Sequence, residues 1–136
     1  KRRANELADF VADAARVYEF DPSLVVAVGF SNGANIASAV LLERPGVLAG
    51  AVLFRAMVPL VPDSGQPATL VRTRVLISNG EMDPIVPREE TERLARLLQE
   101  RGADVEVYWQ HAGHELMPGD FGVAKTWLQS IKYPNG

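Results

Sequence analysis

Hydrophobic positions along the chain fall into short continuous apolar runs and longer segments with apolar residues at helical spacing. The apolar runs are β-branched and have the length of strands buried in a parallel sheet. They predict strands at 24–30, 47–54, 74–78 and 105–109. The spaced segments predict helices at 5–20, about 34–43, 88–101 and 121–131.

Strands and helices alternate in this prediction, except at a Pro- and Gly-containing loop after the second strand. Strands separated by helices indicate a parallel sheet covered by helices on both faces, so we predict an α/β fold with three layers. There is no internal repeat and no linker to a second domain, and we treat residues 1–136 as part of one domain.

Composition narrows the function classes. The chain has 136 residues, 47% of them hydrophobic, and a net charge of −3, which is typical of a soluble globular domain. Its only basic cluster is Lys1-Arg2-Arg3, so we expect no nucleic-acid partner. No apolar run reaches the ~20 residues that span a membrane. The absence of cysteine excludes disulfides and thiolate chemistry and fits a cytoplasmic location.

Residues 29–33 read G-x-S-x-G, with Ser31 at the centre. The pattern alone is weak, but here it lies between a predicted strand and a predicted helix, which is the context of a nucleophile elbow. The flanking glycines are expected to remove side chains that would collide with backbone. At a helix N-terminus the N–H of Asn32 would be the first oxyanion donor. The alternative is a plain helix cap, for which serine is also suited.

An acidic loop, residues 79–87, follows the third predicted strand. In parallel sheets the loops at the carboxyl ends of strands hold the site. Asp83 is our candidate for the carboxylate that orients a histidine, because Pro84 fixes the chain directly after it. Glu81 is the second candidate. The alternative is an acidic turn that caps the next helix.

Two histidines follow the fourth predicted strand. We expect His114, preceded by Gly113 at the turn, to be the general base, and His111 to be structural or at the rim of the pocket. A metal site is disfavoured because the pair lies in a loop without a second cluster of ligands. We therefore predict no metal and no cofactor, and no G-x-G-x-x-G or Walker loop supports a nucleotide-binding alternative.

The order of these candidates is more informative than any one of them. Ser31, Asp83 and His114 follow one another along the chain, each directly after a different predicted strand. Ser…Asp…His is the chain order of the α/β-hydrolases. The three placements together predict a serine hydrolase.

Three segments carry a resemblance to a known family: GFSNGANIA (29–37), SNGEMDPIVP (78–87) and HAGHEL (111–116). They resemble the serine carboxylesterase/phospholipase branch of the α/β-hydrolases, which is related to acyl-protein thioesterases and more distantly to dienelactone hydrolases. The resemblance covers nearly the whole chain and implies that Ser31, Asp83 and His114 form the catalytic triad. The absence of cysteine argues against dienelactone hydrolase itself, which has a cysteine nucleophile.

The sequence departs from that branch in one respect. Members of the branch have further strands, and an H-G-x-G-like segment with a second oxyanion donor, before the first helix. No such segment precedes Lys1. We therefore expect the chain to be the C-terminal catalytic portion of the domain, with an open sheet edge. The remaining strands would belong to a longer chain or come from a second one, as in a homodimer.

The expected reaction is hydrolysis of small-molecule esters through an acyl-enzyme on Ser31. The loop after the second strand offers apolar candidates for substrate binding, although core packing would explain them equally well. These residues are Phe54, Met57, Val58, Leu60 and Val61. Arg55 beside them would steer an anionic group or be simply exposed. Two alternatives remain: a non-catalytic hydrolase-like binding module, and a thioesterase or lipid-ester hydrolase using the same triad.

Overall fold

The computed structural model describes residues 25–45, 47–58 and 70–130. These residues form four strands and three helices. In chain order they are β1 (Val26–Phe30), α1 (Asn32–Glu43), β2 (Gly50–Phe54), β3 (Arg74–Gly80), α2 (Arg88–Glu100), β4 (Asp104–Gln110) and α3 (Pro118–Ser130). The predicted helix at 5–20, Leu60 and Val61 lie outside the described residues.

The four strands form one parallel sheet in the order β1-β2-β3-β4. The chain thus advances one strand at a time in one direction. Crossovers between parallel strands are right-handed, so the two helical crossovers, through α1 and α2, place their helices on the same face of the sheet. Helix α3 packs on the opposite face, and the predicted three-layer α/β architecture is confirmed.

The core follows the alternation of side chains along the strands. In β2, Ala51 and Leu53 pack with α1 and α2, whereas Val52 and Phe54 pack with α3. All five residues of β2 are buried, as expected for a strand covered on both faces. The candidate site lies at the carboxyl ends of these strands, beside the buried β2.

Two boundaries differ from the prediction for identifiable reasons. β2 begins at Gly50 and not at 47, because the Val47 N–H donates to the Arg44 carbonyl in a turn after α1. α3 begins at Pro118, three residues before its predicted start. Proline suits the first helical turn, and Asp120 Oδ2 accepts the N–H of Met117, the residue before the helix, at 2.8 Å. The other described ends agree with the prediction within about two residues.

One expectation about β1 is wrong. Its continuous apolar sequence indicated burial on both faces, but Val28 and Phe30 are 62% and 40% exposed. β1 is an edge strand of the described sheet, and α3 covers the central strands instead. Among the described residues no helix is long and apolar enough to cross a membrane.

Candidate active site

Ser31 lies at the turn between β1 and α1 in a conformation that L-residues rarely adopt, with φ 54° and ψ −113°. Its N–H donates to the Phe54 carbonyl at 2.8 Å, and its carbonyl accepts the Asn35 N–H at 3.0 Å. The turn is thus fixed to β2 on one side and to the first turn of α1 on the other. These bonds hold a strained backbone in place at the carboxyl edge of the sheet.

The two glycines that flank Ser31 have different roles. A Cβ at Gly29 would lie 2.7 Å from the Gly33 carbonyl oxygen and from the Ala34 nitrogen, so the close approach of β1 to α1 requires glycine there. Among the residues that the structure describes, a Cβ at Gly33 would meet nothing within 4 Å. The expectation that both glycines prevent collisions is therefore correct for Gly29 and wrong for Gly33.

The Ser31 side chain does not cap the helix, since its hydroxyl makes no capping hydrogen bond to α1. Instead, Ser31 Oγ lies 2.9 Å from Nε2 of His114. Asn32 is the first residue of α1, so its N–H belongs to the first turn of a helix, which has no intrahelical acceptor. The hydroxyl and this N–H therefore lie at the same helix N-terminus.

Asp83 lies on the other side of His114. Its Oδ2 is 2.7 Å from His114 Nδ1, and its Oδ1 accepts the N–H groups of Ile85 and Val86 at 2.7 and 3.1 Å. Burial raises the pKa of Asp83. The hydrogen bond from His114, the two backbone N–H groups and the imidazole charge together lower it by more, so the net pKa is below the usual value. Asp83 is thus an ionised acceptor at neutral pH.

The other candidates are placed away from this chain of hydrogen bonds. Glu81 is exposed, and it is held through its backbone N–H, which donates to the Gln110 carbonyl. His111 is exposed as well. The described residues contain no group of three or more His, Cys, Asp or Glu side chains that could hold a metal ion. The structure therefore brings together Ser31, His114 and Asp83 from the candidates.

The loop that carries His114 lies directly against the end of β3. A Cβ at Gly80 would overlap the carbonyl oxygens of Ala112 and Gly113, so only glycine permits this approach. The Met82 N–H donates to the Ala112 carbonyl at 3.0 Å and joins the histidine loop to the loop of Asp83. The two loops are thus packed as one unit.

The predicted substrate-binding residues are placed differently from one another. Phe54 is 3% exposed and packs on the α3 side, with its ring 6.1 Å from that of Phe121. Met57 and Val58 are half-buried, and Val58 packs against the core on the α1 side. The Met57 N–H donates to the Asn35 side chain at 2.8 Å. For Phe54 the structure shows core packing, whereas Met57 and Val58 remain partly accessible.

The expectation for Arg55 is wrong. It is neither exposed nor able to steer an anionic group, because it is 0% exposed and ion-paired with Asp120, which is 0% exposed as well, at 2.8 Å. Burial raises the pKa of Asp120, but hydrogen bonds from Arg55, Ser78 and Met117 and the guanidinium charge give a net lowered value. The sequence analysis did not identify Asp120. Its only local signal is an acidic residue in the first turn of a helix.

This geometry has a clear chemical capacity. A carboxylate that accepts the Nδ1–H of an imidazole leaves Nε2 free to accept a proton from a hydroxyl at hydrogen-bond distance. The distances at His114 allow that assignment of the ring proton, with Nδ1–H toward Asp83 and the Nε2 lone pair toward Ser31. Ser31 is thereby in a position to be activated as a nucleophile.

Sequence comparison with known families gives a match over residues 1–132 to the phospholipase/carboxylesterase family. The chain is also 42% identical over 132 residues to the Bacillus subtilis (strain 168) protein named "Putative hydrolase MhqD". That alignment covers 93% of this chain and 62% of the Bacillus protein.

Solved structures agree with this match. A Bacillus cereus carboxylesterase superposes with a TM-score of 0.86 at 38% identity, covering 93% of this chain and 58% of the enzyme. A Mesorhizobium loti carboxylesterase superposes with a TM-score of 0.83 at 28% identity, covering 94% and 60%. The chain thus spans about three fifths of the length of these relatives. The matched family, the parallel sheet and the similar structures show that the chain belongs to the phospholipase/carboxylesterase family of α/β-hydrolases.

Proposed function

We propose that this protein is a serine hydrolase that cleaves carboxylic esters through an acyl-enzyme on Ser31. The observation that carries the proposal is the continuous chain from Asp83 Oδ2 to His114 Nδ1, at 2.7 Å, and from His114 Nε2 to Ser31 Oγ, at 2.9 Å. Membership of a hydrolase family supports the same reaction class.

In the acylation step, His114 Nε2 accepts the Ser31 hydroxyl proton while Oγ attacks the ester carbonyl. The carbonyl π electrons move to oxygen, and the resulting oxyanion is stabilised by the Asn32 N–H and the positive end of the α1 dipole. When the tetrahedral intermediate collapses, the bond to the alcohol oxygen breaks, and His114 returns its proton to that oxygen. The alcohol leaves and the acyl group stays on Ser31.

In the deacylation step, His114 takes a proton from water, and the hydroxide oxygen attacks the acyl carbonyl. Collapse of the second intermediate breaks the bond to Ser31 Oγ, which regains the proton from His114 as the carboxylic acid is released. Asp83 remains ionised throughout and stabilises the imidazolium that forms twice in each cycle.

Apolar surface beside the site is compatible with an aliphatic acyl group. The Phe30 ring lies 5.5 Å from the His114 ring and is 40% exposed, and Met57 is half-buried after β2. We include Met57 and Val58 as substrate contacts in the proposal. Phe54 contributes through its carbonyl, which holds the Ser31 N–H.

The test is intact-mass analysis after treatment with a fluorophosphonate, together with hydrolysis of p-nitrophenyl esters of increasing acyl length. We expect a single adduct and turnover, both lost in Ser31→Ala. Ser38→Ala is the matched control, because the hydroxyl of this buried α1 serine donates to the Ala34 carbonyl within its own helix. This variant should keep both the adduct and turnover.

Two outcomes would contradict the proposal. An adduct that persists in Ser31→Ala would place the nucleophile elsewhere, and a folded full-length wild-type protein without adduct or turnover would favour a non-catalytic binding module. The same acyl group offered as an oxygen ester and as a thioester then separates the esterase from a thioesterase, since both reactions use the same three residues.

A further inference from the structure

The guanidinium of Arg55 uses all five of its N–H donors inside the protein. Its Nε donates to the Gly113 carbonyl at 2.9 Å. Nη1 donates to the Ser78 carbonyl at 2.9 Å and to Asp120 Oδ1 at 2.8 Å. Nη2 donates to the Glu115 carbonyl at 2.7 Å and to Asp120 Oδ2 at 2.9 Å. Because every N–H donor of this buried guanidinium has an acceptor, the orientation of the guanidinium is fixed.

Two of these five bonds reach the histidine loop on both sides of His114. The carbonyls of Gly113 and Glu115 belong to the residues directly before and after it. Because one planar group holds both carbonyls, it fixes the backbone segment that carries the imidazole. The third carbonyl, that of Ser78, ties the same group to β3.

Asp120 holds the guanidinium in place through its carboxylate. Its two carboxylate oxygens accept hydrogen bonds from both Nη atoms of Arg55, and Oδ1 also accepts one from the Ser78 hydroxyl at 2.7 Å. It neutralises a charge that would otherwise oppose the formation of imidazolium on the nearby loop. The contribution of Arg55 to His114 is therefore one of geometry and not of net charge.

We propose that Arg55, fixed by Asp120, is a positioning residue that sets the place of the His114 imidazole relative to the Ser31 hydroxyl. This inference rests on the proposed function, because it assigns Arg55 a part in the proton transfer between those two side chains. Arg55 does not touch the reacting atoms. It acts through the backbone on either side of the base.

Two variants test the inference. Arg55→Lys keeps the charge beside Asp120 but offers at most three donors without the planar fork, so it cannot make the five hydrogen bonds of the guanidinium. The double variant Arg55→Met with Asp120→Leu removes both charges together, which preserves folding better than removing one partner of a buried pair. Arg74→Lys is the matched control, since Arg74 lies at the opposite end of β3 and pairs with Asp104 at 3.8 Å.

We expect kcat for ester hydrolysis to fall about 10²-fold in both Arg55 variants, the loss typical of a displaced catalytic group, with KM nearly unchanged. We also expect loss of the low-field proton NMR signal of the His114 Nδ1–H bonded to Asp83. Circular dichroism of the variants should match the wild type, and Arg74→Lys should match it in every measurement. If the double variant does not fold, Arg55→Lys decides.

The possible failures are distinguishable. If wild-type turnover depends on Ser31 but the folded Arg55 variants keep kcat and the low-field signal, the positioning role is overturned and the proposed function stands. If the wild type shows no Ser31-dependent turnover, the proposed function fails, and the NMR signal still reports whether Arg55 orders His114. Persistence of that signal in the variants would overturn the inference in that case as well.

Discussion

Replacement of Asp83 by asparagine should disable the site by changing the tautomer of His114 while leaving the fold intact. The Oδ1 atom of Asp83 accepts two backbone N–H groups, those of Ile85 and Val86, at 2.7 and 3.1 Å. In Asp83→Asn only the amide oxygen can accept these bonds, so the amide nitrogen must take the Oδ2 position, 2.7 Å from His114 Nδ1.

Both the amide nitrogen and a protonated Nδ1 would then donate toward the same point. The imidazole avoids this conflict by moving its proton to Nε2, which turns an N–H toward Ser31 Oγ at 2.9 Å. In that tautomer His114 has no lone pair for the hydroxyl proton. From the same change in a Ser-His-Asp triad we expect kcat to fall about 10⁴-fold, equivalent to about 5.4 kcal/mol in activation free energy.

The assay is steady-state hydrolysis of a p-nitrophenyl ester at pH 7, with the fluorophosphonate labelling rate as a second measure of Ser31 reactivity. KM should change little, because asparagine has the shape of aspartate. The melting temperature should fall modestly, because the pKa of Asp83 is lowered in the folded protein and its ionised form contributes stability at pH 7. Glu81→Gln is the matched control in the same loop and should stay within a few-fold of the wild type, since Glu81 is exposed. Asp83→Asn with more than a tenth of wild-type kcat, or equal losses in the two variants, would refute the tautomer argument.

Two further predictions concern stability. The pKa of Asp120 is lower in the folded protein than in the unfolded chain, so its contribution is complete above the unfolded value of about 3.9 and is lost as pH falls through the folded value. The wild-type free energy of unfolding, measured by urea denaturation from pH 7 to pH 3, should therefore fall at the acid end. Asp120→Asn should be less stable at pH 7, and its free energy of unfolding should depend less on pH. Parallel curves of unfolding free energy against pH for the two proteins would contradict this. Gly80→Ala should destabilise the protein by about 1–3 kcal/mol and lower kcat, because the new methyl group would overlap the carbonyl oxygens of the histidine loop. Gly122→Ala in α3, where a Cβ meets nothing within 4 Å, should be neutral or slightly stabilising, and equal melting temperatures for the two alanine variants would refute the steric argument.

The architecture could be predicted because it follows from local patterns. Apolar runs and helical spacing are set by which faces are buried, and their alternation leaves few arrangements other than a parallel sheet between helices. The carboxyl edge of such a sheet collects the segments that follow the strands. The juxtaposition of Ser31, Asp83 and His114 was therefore predictable, although their catalytic roles remain proposals.

The interior of the site was less predictable. Arg55 and Asp120 are 65 residues apart, and no periodicity relates a loop after β2 to the first turn of α3. An arginine is usually exposed, and only the acceptors around it in three dimensions show that this one is buried. The role of Gly80 could not be predicted for the same reason, since the carbonyls of Ala112 and Gly113 that it accommodates belong to the loop after β4.

The residues that follow β1, β2 and β3 hold the His114 loop, which follows the edge strand β4, in the position that proton transfer requires. Ser31 and Arg55 directly follow the paired residues Phe30 and Phe54, and both have positive φ, 54° and 57°. Each donates its N–H to a carbonyl of the next strand, Ser31 to Phe54 at 2.8 Å and Arg55 to Ser78 at 3.2 Å. These bonds offset a strained positive-φ conformation that costs about 1–3 kcal/mol. From these ends the hydroxyl of Ser31 reaches the His114 ring, and the guanidinium of Arg55 reaches the backbone around it. Asp83 completes the set from the loop after β3, so His114 is fixed by one residue from the end of each of the three preceding strands.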